Sequence, residues 1–410
     1  MSFAPFTSFV RSQNNPNFAE PAASPCRVGL SFNRSCTLMI PPTCMLLAAA
    51  LMLALSSAGA QVRYFDELFA DVDVTPDVVY GAAPDYKNVV QNLLLDIYTP
   101  RADDVTVRPV IIIVHGGGFT SGSKEGEYFQ DWARRCARRG FVAASINYRL
   151  GIAGRVEERS VVEASLRAQQ DVRASVRYLR AQAHVLGIDT SRIYLLGTSA
   201  GGIAALQAAV LETNEVPDYV SEALTDVEGS SGTPGLSSTV HGVASCWGAV
   251  TDTLNIDANA PPIVAIHGTA DGTVPHECSN TAFGVVLCGS TAIAARARNV
   301  GIDHALQLFP GAGHTLSGNP VYLDSCFAFL ATFFANLATR NVTTVPTTPV
   351  PAAFVWHTVY DLYGRQIASL PEELHGIDAT TLSHCGLPNG LYCVLGKRNG
   401  LPHSLLVSVP

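Results

Sequence analysis

Residues 192–202 read Arg-Ile-Tyr-Leu-Leu-Gly-Thr-Ser-Ala-Gly-Gly, and the shape of this stretch governs how the rest of the chain is read. Ile193 to Leu196 is a short apolar run of strand type, and Gly202-Ile-Ala-Ala-Leu206 begins a helical one. At their junction Gly197-Thr198-Ser199-Ala200-Gly201 matches G-x-S-x-G, a pattern that carries meaning only between a strand and a helix. A sharp turn there strains the backbone of the central serine and holds its hydroxyl out above the sheet edge. Glycines on either side remove side chains that would collide in the turn. Ser199 is therefore the candidate nucleophile.

Working outward, strand-like and helix-like segments alternate from about residue 93 to residue 340. Strands are expected at Leu93 to Tyr98, Val110 to His115, Phe141 to Asn147, Ile193 to Gly197, Val240 to Trp247, Pro262 to His267 and Ala305 to Phe309. Helices are expected at Tyr128 to Arg139, Val161 to Leu186, Ile203 to Glu212, Ile293 to Val300 and Val321 to Leu337. Residues Val110 to Val114 are apolar without alternation, as in a strand covered on both faces. The alternation predicts the α/β class, with a mostly parallel sheet and helices on both faces. Thr213 to Ser238, rich in Gly, Ser and Pro, breaks the pattern and is expected to form a surface excursion near the site.

A second motif, His115-Gly116-Gly117-Gly118-Phe119, follows the apolar strand. Acyl transfer builds negative charge on a former carbonyl oxygen, and backbone N–H groups can stabilise it if the chain approaches closely enough. Glycines permit that approach, so the N–H groups of Gly117, Gly118 and Ala200 are the candidate oxyanion donors. A serine hydroxyl needs a base. Of the downstream histidines, His241, His267, His276, His304 and His314, only His314 lies in a loop just past the last expected strand, in Pro310-Gly-Ala-Gly-His314. His267 reads as a strand-end residue that packs, and His115 as structural. The orienting acid is expected at Asp271, just past a strand, with Asp252 as the rival.

The chain has 410 residues, 48% of them hydrophobic, which allows a sizeable core and a small extra module. A net charge of −8 with scattered basic residues argues against a nucleic-acid partner. Residues 1–60 read as an N-terminal extension and signal peptide: the apolar run Met45 to Leu55 is followed by Ser57-Ala-Gly-Ala60, with cleavage expected before Gln61. No other stretch is expected to span a membrane. Residues 61–340 read as the catalytic domain, 341–353 as a Pro/Thr linker and 354–410 as a small all-β module. Among the cysteines after residue 60, Cys278 and Cys288 bracket one loop and are the favoured disulfide; Cys385 and Cys393 bracket another. None has the C-x-x-C spacing of a zinc site, so no metal is implied.

Residues 90–340 resemble the carboxylesterase branch of the α/β hydrolases that includes feruloyl and acetyl esterases. The resemblance rests on HGGGFTSGSK at 115–124, RIYLLGTSAGG at 192–202, HGTADGTVP at 267–275 and GAGH at 311–314. The order Ser199, Asp271, His314 is that of the α/β hydrolases. The resemblance implies a serine hydrolase of carboxylic esters without cofactor and leaves the acyl group and the alcohol open. Together with export and the Pro/Thr linker it points to acetyl or feruloyl esters of polysaccharides. The alternatives are a peptidase on the same scaffold and a non-catalytic binding protein with this fold. The tail, through Val359-Tyr-Asp-Leu-Tyr-Gly-Arg365 and Leu387-Pro-Asn-Gly-Leu-Tyr392, resembles a type IX secretion sorting domain, which implies secretion machinery as a partner and a secreted or cell-surface location.

Overall fold

The computed structural model describes residues 61–282, 284–314, 316–340, 354–360, 366–369, 390–398 and 401–409. The expected signal peptide, the linker at 341–353 and Cys385 lie outside these residues. The main sheet has eight strands: β1 (Val72–Pro84), β2 (Val90–Pro100), β3 (Arg108–Val114), β4 (Val142–Ile146), β5 (Ile188–Thr198), β6 (Val243–Cys246), β8 (Ile263–Gly268) and β11 (His304–Phe309). Their order is β1-β2-β4-β3-β5-β6-β8-β11. β2 runs antiparallel to β1 and β4, and every pairing from β4 to β11 is parallel. The strands β7 (Ala249–Val250), β9 (Cys278–Asn280) and β10 (Val286–Gly289) form a second, small antiparallel sheet.

The absence of alternation in β3 has a direct cause. Val110, Ile112 and Val114 enter one hydrophobic cluster, while Ile111 and Ile113 enter another on the opposite face. β5 divides in the same way, with Ile193 and Leu195 on one side and Tyr194 and Leu196 on the other. On the first face lie α2 (Glu158–Ala181) and α4 (Ala200–Val210); on the second lie α1 (Glu127–Arg138) and α6 (Pro320–Thr339). The expected helix at 161–186 is broken at Gln182 into α2 and the short α3 (Ala183–Leu186), which ends on Gly187 in the left-handed region. The helix α5 (Ser290–Val300) completes the set.

Two differences from the sequence reading have physical reasons. The long edge strand β1 was not expected: its alternation, with Val72, Val74 and Val78 half-buried and Tyr80 buried, is interrupted at Pro76-Asp77, where the pairing with β2 shifts register. The helix α6 is long and apolar enough to cross a membrane by length and composition, contrary to the expectation of no such stretch after the signal. Its Phe327, Leu330, Phe333 and Phe334 are buried in the second core cluster, which accounts for the apolar composition. Pro320 opens this helix, and Asn319 accepts the N–H of Val321.

In the C-terminal part, β12 (Phe354–Tyr360), β13 (Gln366–Ser369), β14 (Gly390–Arg398) and β15 (Leu401–Val409) form a separate antiparallel sheet in the order β13-β12-β14-β15.

The end of β4 is tied to α2 by a buried ion pair. Arg149 donates from its backbone N–H and its guanidinium to Asp171 at 2.8–2.9 Å, and the Asp171 side chain is fully buried. Replacing one member leaves the other charge unpaired in the core. Asp171→Asn is expected to cost about 3 kcal/mol, read as a lower urea or thermal midpoint; an unchanged midpoint would contradict this role.

Candidate active site

Parallel strands deliver their C-terminal ends to one edge, and the site is built there. Ser199 follows β5 and has φ 52° and ψ −123°, a left-handed conformation that ordinary side chains rarely adopt. The turn holds because the flanking glycines make room. A β-carbon on Gly197 would stand 2.1 Å from the Gly201 carbonyl oxygen, and one on Gly201 would stand 2.3 Å from the carbonyl oxygens of Val114 and His115. The Ser199 N–H donates to the Cys246 carbonyl at 2.8 Å, fastening the turn to the neighbouring strand β6.

The loops that carry Asp271 and His314 leave adjacent strands. β8 and β11 pair in parallel with His267 opposite Leu308 and Gly268 opposite Phe309. Beyond the strands the two loops stay zipped together: Thr269 N–H donates to Phe309 O at 3.0 Å, Ala270 N–H to Ala312 O at 2.9 Å, and Gly311 N–H to Thr269 Oγ1 at 2.9 Å. His314 Nε2 consequently lies 2.9 Å from Ser199 Oγ, and His314 Nδ1 lies 2.7 Å from Asp271 Oδ2. An ionised carboxylate only accepts, so Nδ1 carries the proton and Nε2 is free to accept from the serine hydroxyl. Ser199 and His314 are both partly exposed, whereas the Asp271 side chain is fully buried.

Burial disfavours the charged form of Asp271. Hydrogen bonds from His267, His314 and the Val274 N–H outweigh it and hold this carboxyl well below the usual carboxylate range. Its Oδ1 accepts the N–H groups of Thr273 at 2.8 Å and Val274 at 3.0 Å. The rival, Asp252, is exposed and accepts the Leu254 N–H at the start of a short 3₁₀ turn. It stands as a local cap, whereas His314 Nδ1 bonds to Asp271.

The glycine loop runs directly against Ser199: a β-carbon on Gly116 would stand 3.2 Å from Ser199 Cβ. Gly117 (φ 113°) and Gly118 (φ 60°) are exposed left-handed positions, and Ala200 opens α4, where N–H groups have no partner within the helix. His115 is buried, stacks on Tyr148 with ring centroids 4.3 Å apart, and donates from Nδ1 to the Gly116 carbonyl at 2.6 Å. His241, His276 and His304 bond to Ile193 N–H, Thr291 Oγ1 and Ile302 O respectively.

His267 differs from the sequence expectation of simple packing. Its Nε2 lies 3.2 Å from Asp271 Oδ2 and 3.0 Å from the Val274 carbonyl oxygen. The four-residue spacing between His267 and Asp271 was the available signal, but a strand followed by a tight loop hides which way an imidazole points.

Cys278 and Cys288 form the expected disulfide, and Cys136, Cys246 and Cys326 are buried free thiols. The 213–238 excursion, expected near the site, lines a cleft with the disulfide loop, through Pro217 and Tyr219 on one side and Val285 and Val286 on the other. Its lining includes none of Ser199, Asp271 and His314.

A family model described as BD-FAE matches residues 95–232. The chain has the α/β-hydrolase fold. The matched segment contains the glycine loop and Ser199, and ends before Asp271 and His314. Among curated proteins, a probable isoprenylcysteine alpha-carbonyl methylesterase of Oryza sativa subsp. japonica is 25% identical over 303 residues, 66% of this chain and 64% of that protein. The chlorogenic acid esterase of Aspergillus niger is 28% identical over 170 residues, 36% of this chain and 33% of that protein. The matched stretches thus span less than two-thirds of either relative. Among solved structures, native esterase 2 of Thermogutta terrifontis is 23% identical with a TM-score of 0.48, covering 70% of this chain and 98% of that one. A truncated carbohydrate esterase from gut microbiota is 23% identical with a TM-score of 0.46, covering 68% and 99%.

The packing at the elbow makes a contrast measurable. Gly201→Ala is expected to lower stability by about 2–3 kcal/mol or to prevent folding, because two carbonyl oxygens occupy the space of the added carbon. Gly272→Ala, where a β-carbon meets nothing within 4 Å, is expected to stay within about 0.5 kcal/mol of the parent. Denaturant midpoints of the two variants check both.

Proposed function

We propose that this chain is a serine hydrolase of carboxylic esters that works by two-step acyl transfer. The reading is carried by one observation, the continuous relay from Ser199 Oγ through His314 to Asp271 at 2.9 and 2.7 Å. In the first step His314 Nε2 takes the proton of Ser199 as Oγ bonds to the ester carbonyl carbon. The resulting oxyanion accepts from the N–H groups of Gly117, Gly118 and Ala200. As the tetrahedral species collapses, the bond to the alcohol oxygen breaks, and His314 returns the proton to the leaving alcohol. Water then gives a proton to His314 while its oxygen attacks the acyl carbon, and the acid departs as Ser199 recovers its hydrogen. Asp271 stays ionised throughout and stabilises the imidazolium in each half-reaction.

Acetyl and feruloyl esters of polysaccharides are the substrates this reading favours. The similarity to the chlorogenic acid esterase of Aspergillus niger and the esterase-like motifs around Ser199 support it. Export is favoured by the apolar run at Met45 to Leu55 and by the Cys278–Cys288 disulfide, which oxidising compartments permit. The tail, in this reading, hands the chain to a secretion machinery.

Ser199→Ala is expected to abolish hydrolysis of p-nitrophenyl acetate and labelling by a fluorophosphonate while the folded state persists; retained turnover removes Ser199 from its role. Because Asp271 remains charged well below the ordinary carboxylate range, kcat/KM is expected to fall on acidification in a single step that belongs to the imidazole. A second titration between about pH 3.5 and 5, where ordinary carboxylates titrate, would contradict this assignment. Comparison of methyl ferulate, acetylated xylan and p-nitrophenyl esters of graded acyl length tests the substrate class.

A further inference from the structure

Two imidazoles converge on one carboxylate oxygen. His314 Nδ1 reaches Asp271 Oδ2 at 2.7 Å from the solvent side, and His267 Nε2 reaches the same oxygen at 3.2 Å from the protein interior. His267 is fully buried, and the environment decides its protonation pattern. Its Nε2 faces the Val274 carbonyl oxygen at 3.0 Å and Asp271 Oδ2. Both are acceptors only, so Nε2 must carry a hydrogen to bond to either. On the other side, Nδ1 lies 2.8 Å from Ser290 Oγ, a buried hydroxyl at the start of α5 that also lies 3.3 Å from the Ile266 carbonyl oxygen. The other titratable groups near this ring are His276, with its centroid 6.4 Å away, and His314 beyond Asp271.

We infer that His267 is a positioning residue for the acid of this site: its Nε2–H, shared between Val274 O and Asp271 Oδ2, holds the carboxylate as an anion and aims Oδ2 at His314. The inference rests on the serine-hydrolase reading above and adds to it a fourth member that never touches substrate. The chemistry is specific. The Asp271 carboxylate has its Oδ1 saturated by the Thr273 and Val274 N–H groups. Rotation about its last side-chain bond is thereby opposed on one oxygen by the backbone and on the other by His267. His267 also withdraws some negative charge from Oδ2, and so moderates how strongly Asp271 favours the His314 imidazolium. That balance matters, because His314 must accept a proton from Ser199 and then release it to the leaving group.

Two substitutions separate this role from mere packing. The amide nitrogen of Gln occupies the place of imidazole Nε2, and that of Asn occupies the place of Nδ1. His267→Gln therefore retains a donor toward Asp271, whereas His267→Asn retains only a partner for Ser290. His267→Gln is expected to keep kcat within about threefold of the parent, while His267→Asn loses about tenfold or more in kcat with little change in KM. With less charge withdrawn from Oδ2, the imidazolium of His314 is favoured, so the acid limb of the His267→Asn profile is expected at higher pH than that of the parent or of His267→Gln. Equal kcat and superimposed acid limbs for the two variants would overturn the proposal.

A measurement on the unsubstituted chain does not depend on either variant folding. Nitrogen-15 spectra of labelled histidine are expected to show His267 protonated at Nε2 across the active pH range, and an unprotonated Nε2 would sink the inference. Turnover by the Ser199→Ala variant would instead defeat the hydrolase reading, and would leave the His267 tautomer as a separate result.

Discussion

Gly201 lies so close to the end of β3 that any side chain there would run into the carbonyl oxygens of Val114 and His115. This approach of one backbone to another is the constraint on which the rest depends. It lets α4 start immediately after β5, with no loop to soften the turn. The serine is left in a conformation that the isolated chain would avoid, and the structure around it opposes relaxation. The Ser199 N–H is bonded to β6, the glycine loop presses on the serine β-carbon, and the sheet beneath is packed on both faces. Strain of this kind persists only where the surroundings over-determine it.

The electrostatics of the site follow from depth. Asp271 is buried and surrounded by donors, His314 is partly exposed, and Ser199 is partly exposed beside the glycine loop. A buried carboxylate without partners would take up a proton, but here the two backbone N–H groups and two imidazoles reverse that tendency. The buried anion is thus held by its donors, and of the two imidazoles on Asp271 only His314 is partly exposed to solvent. His115 works on the other side of the site by bonding the Gly116 carbonyl, which belongs to the same peptide unit as the Gly117 N–H.

Outside the sheet, long polar side chains do the fastening. Arg173 and Arg177 on α2 reach Glu228 in the 213–238 excursion at 2.8 and 2.5 Å, and Gln169 and Gln170 donate to the Val227 and Asp226 carbonyls. These groups are buried on a helix that periodicity alone would assign to packing. Their guanidinium and amide hydrogens satisfy carbonyls of a segment that has few backbone pairings of its own, which is how a Gly- and Ser-rich stretch becomes an ordered wall. The disulfide loop forms the opposite wall by covalent closure.

The sequence by itself determined the class of the fold and the strand-to-helix turn at Ser199. Unbroken apolar runs such as Val110 to Val114 have only one comfortable home, between two helical layers, and Gly-x-Ser-x-Gly between a strand and a helix demands a glycine-flanked turn. It also ranked His314 and Asp271 by their places just past strands, since parallel strands end on the same edge. It did not reveal the edge strand β1, whose inward alternation at Val72 and Val74 and again at Val78 and Tyr80 is interrupted at Pro76-Asp77, or the burial of α6, whose composition suits either a membrane or a sheet. Only the tertiary structure decided which histidines touch Asp271. Contacts across 43 residues and across four residues depend on the register of β8 with β11 and on the rotation of buried side chains, and no local pattern encodes either.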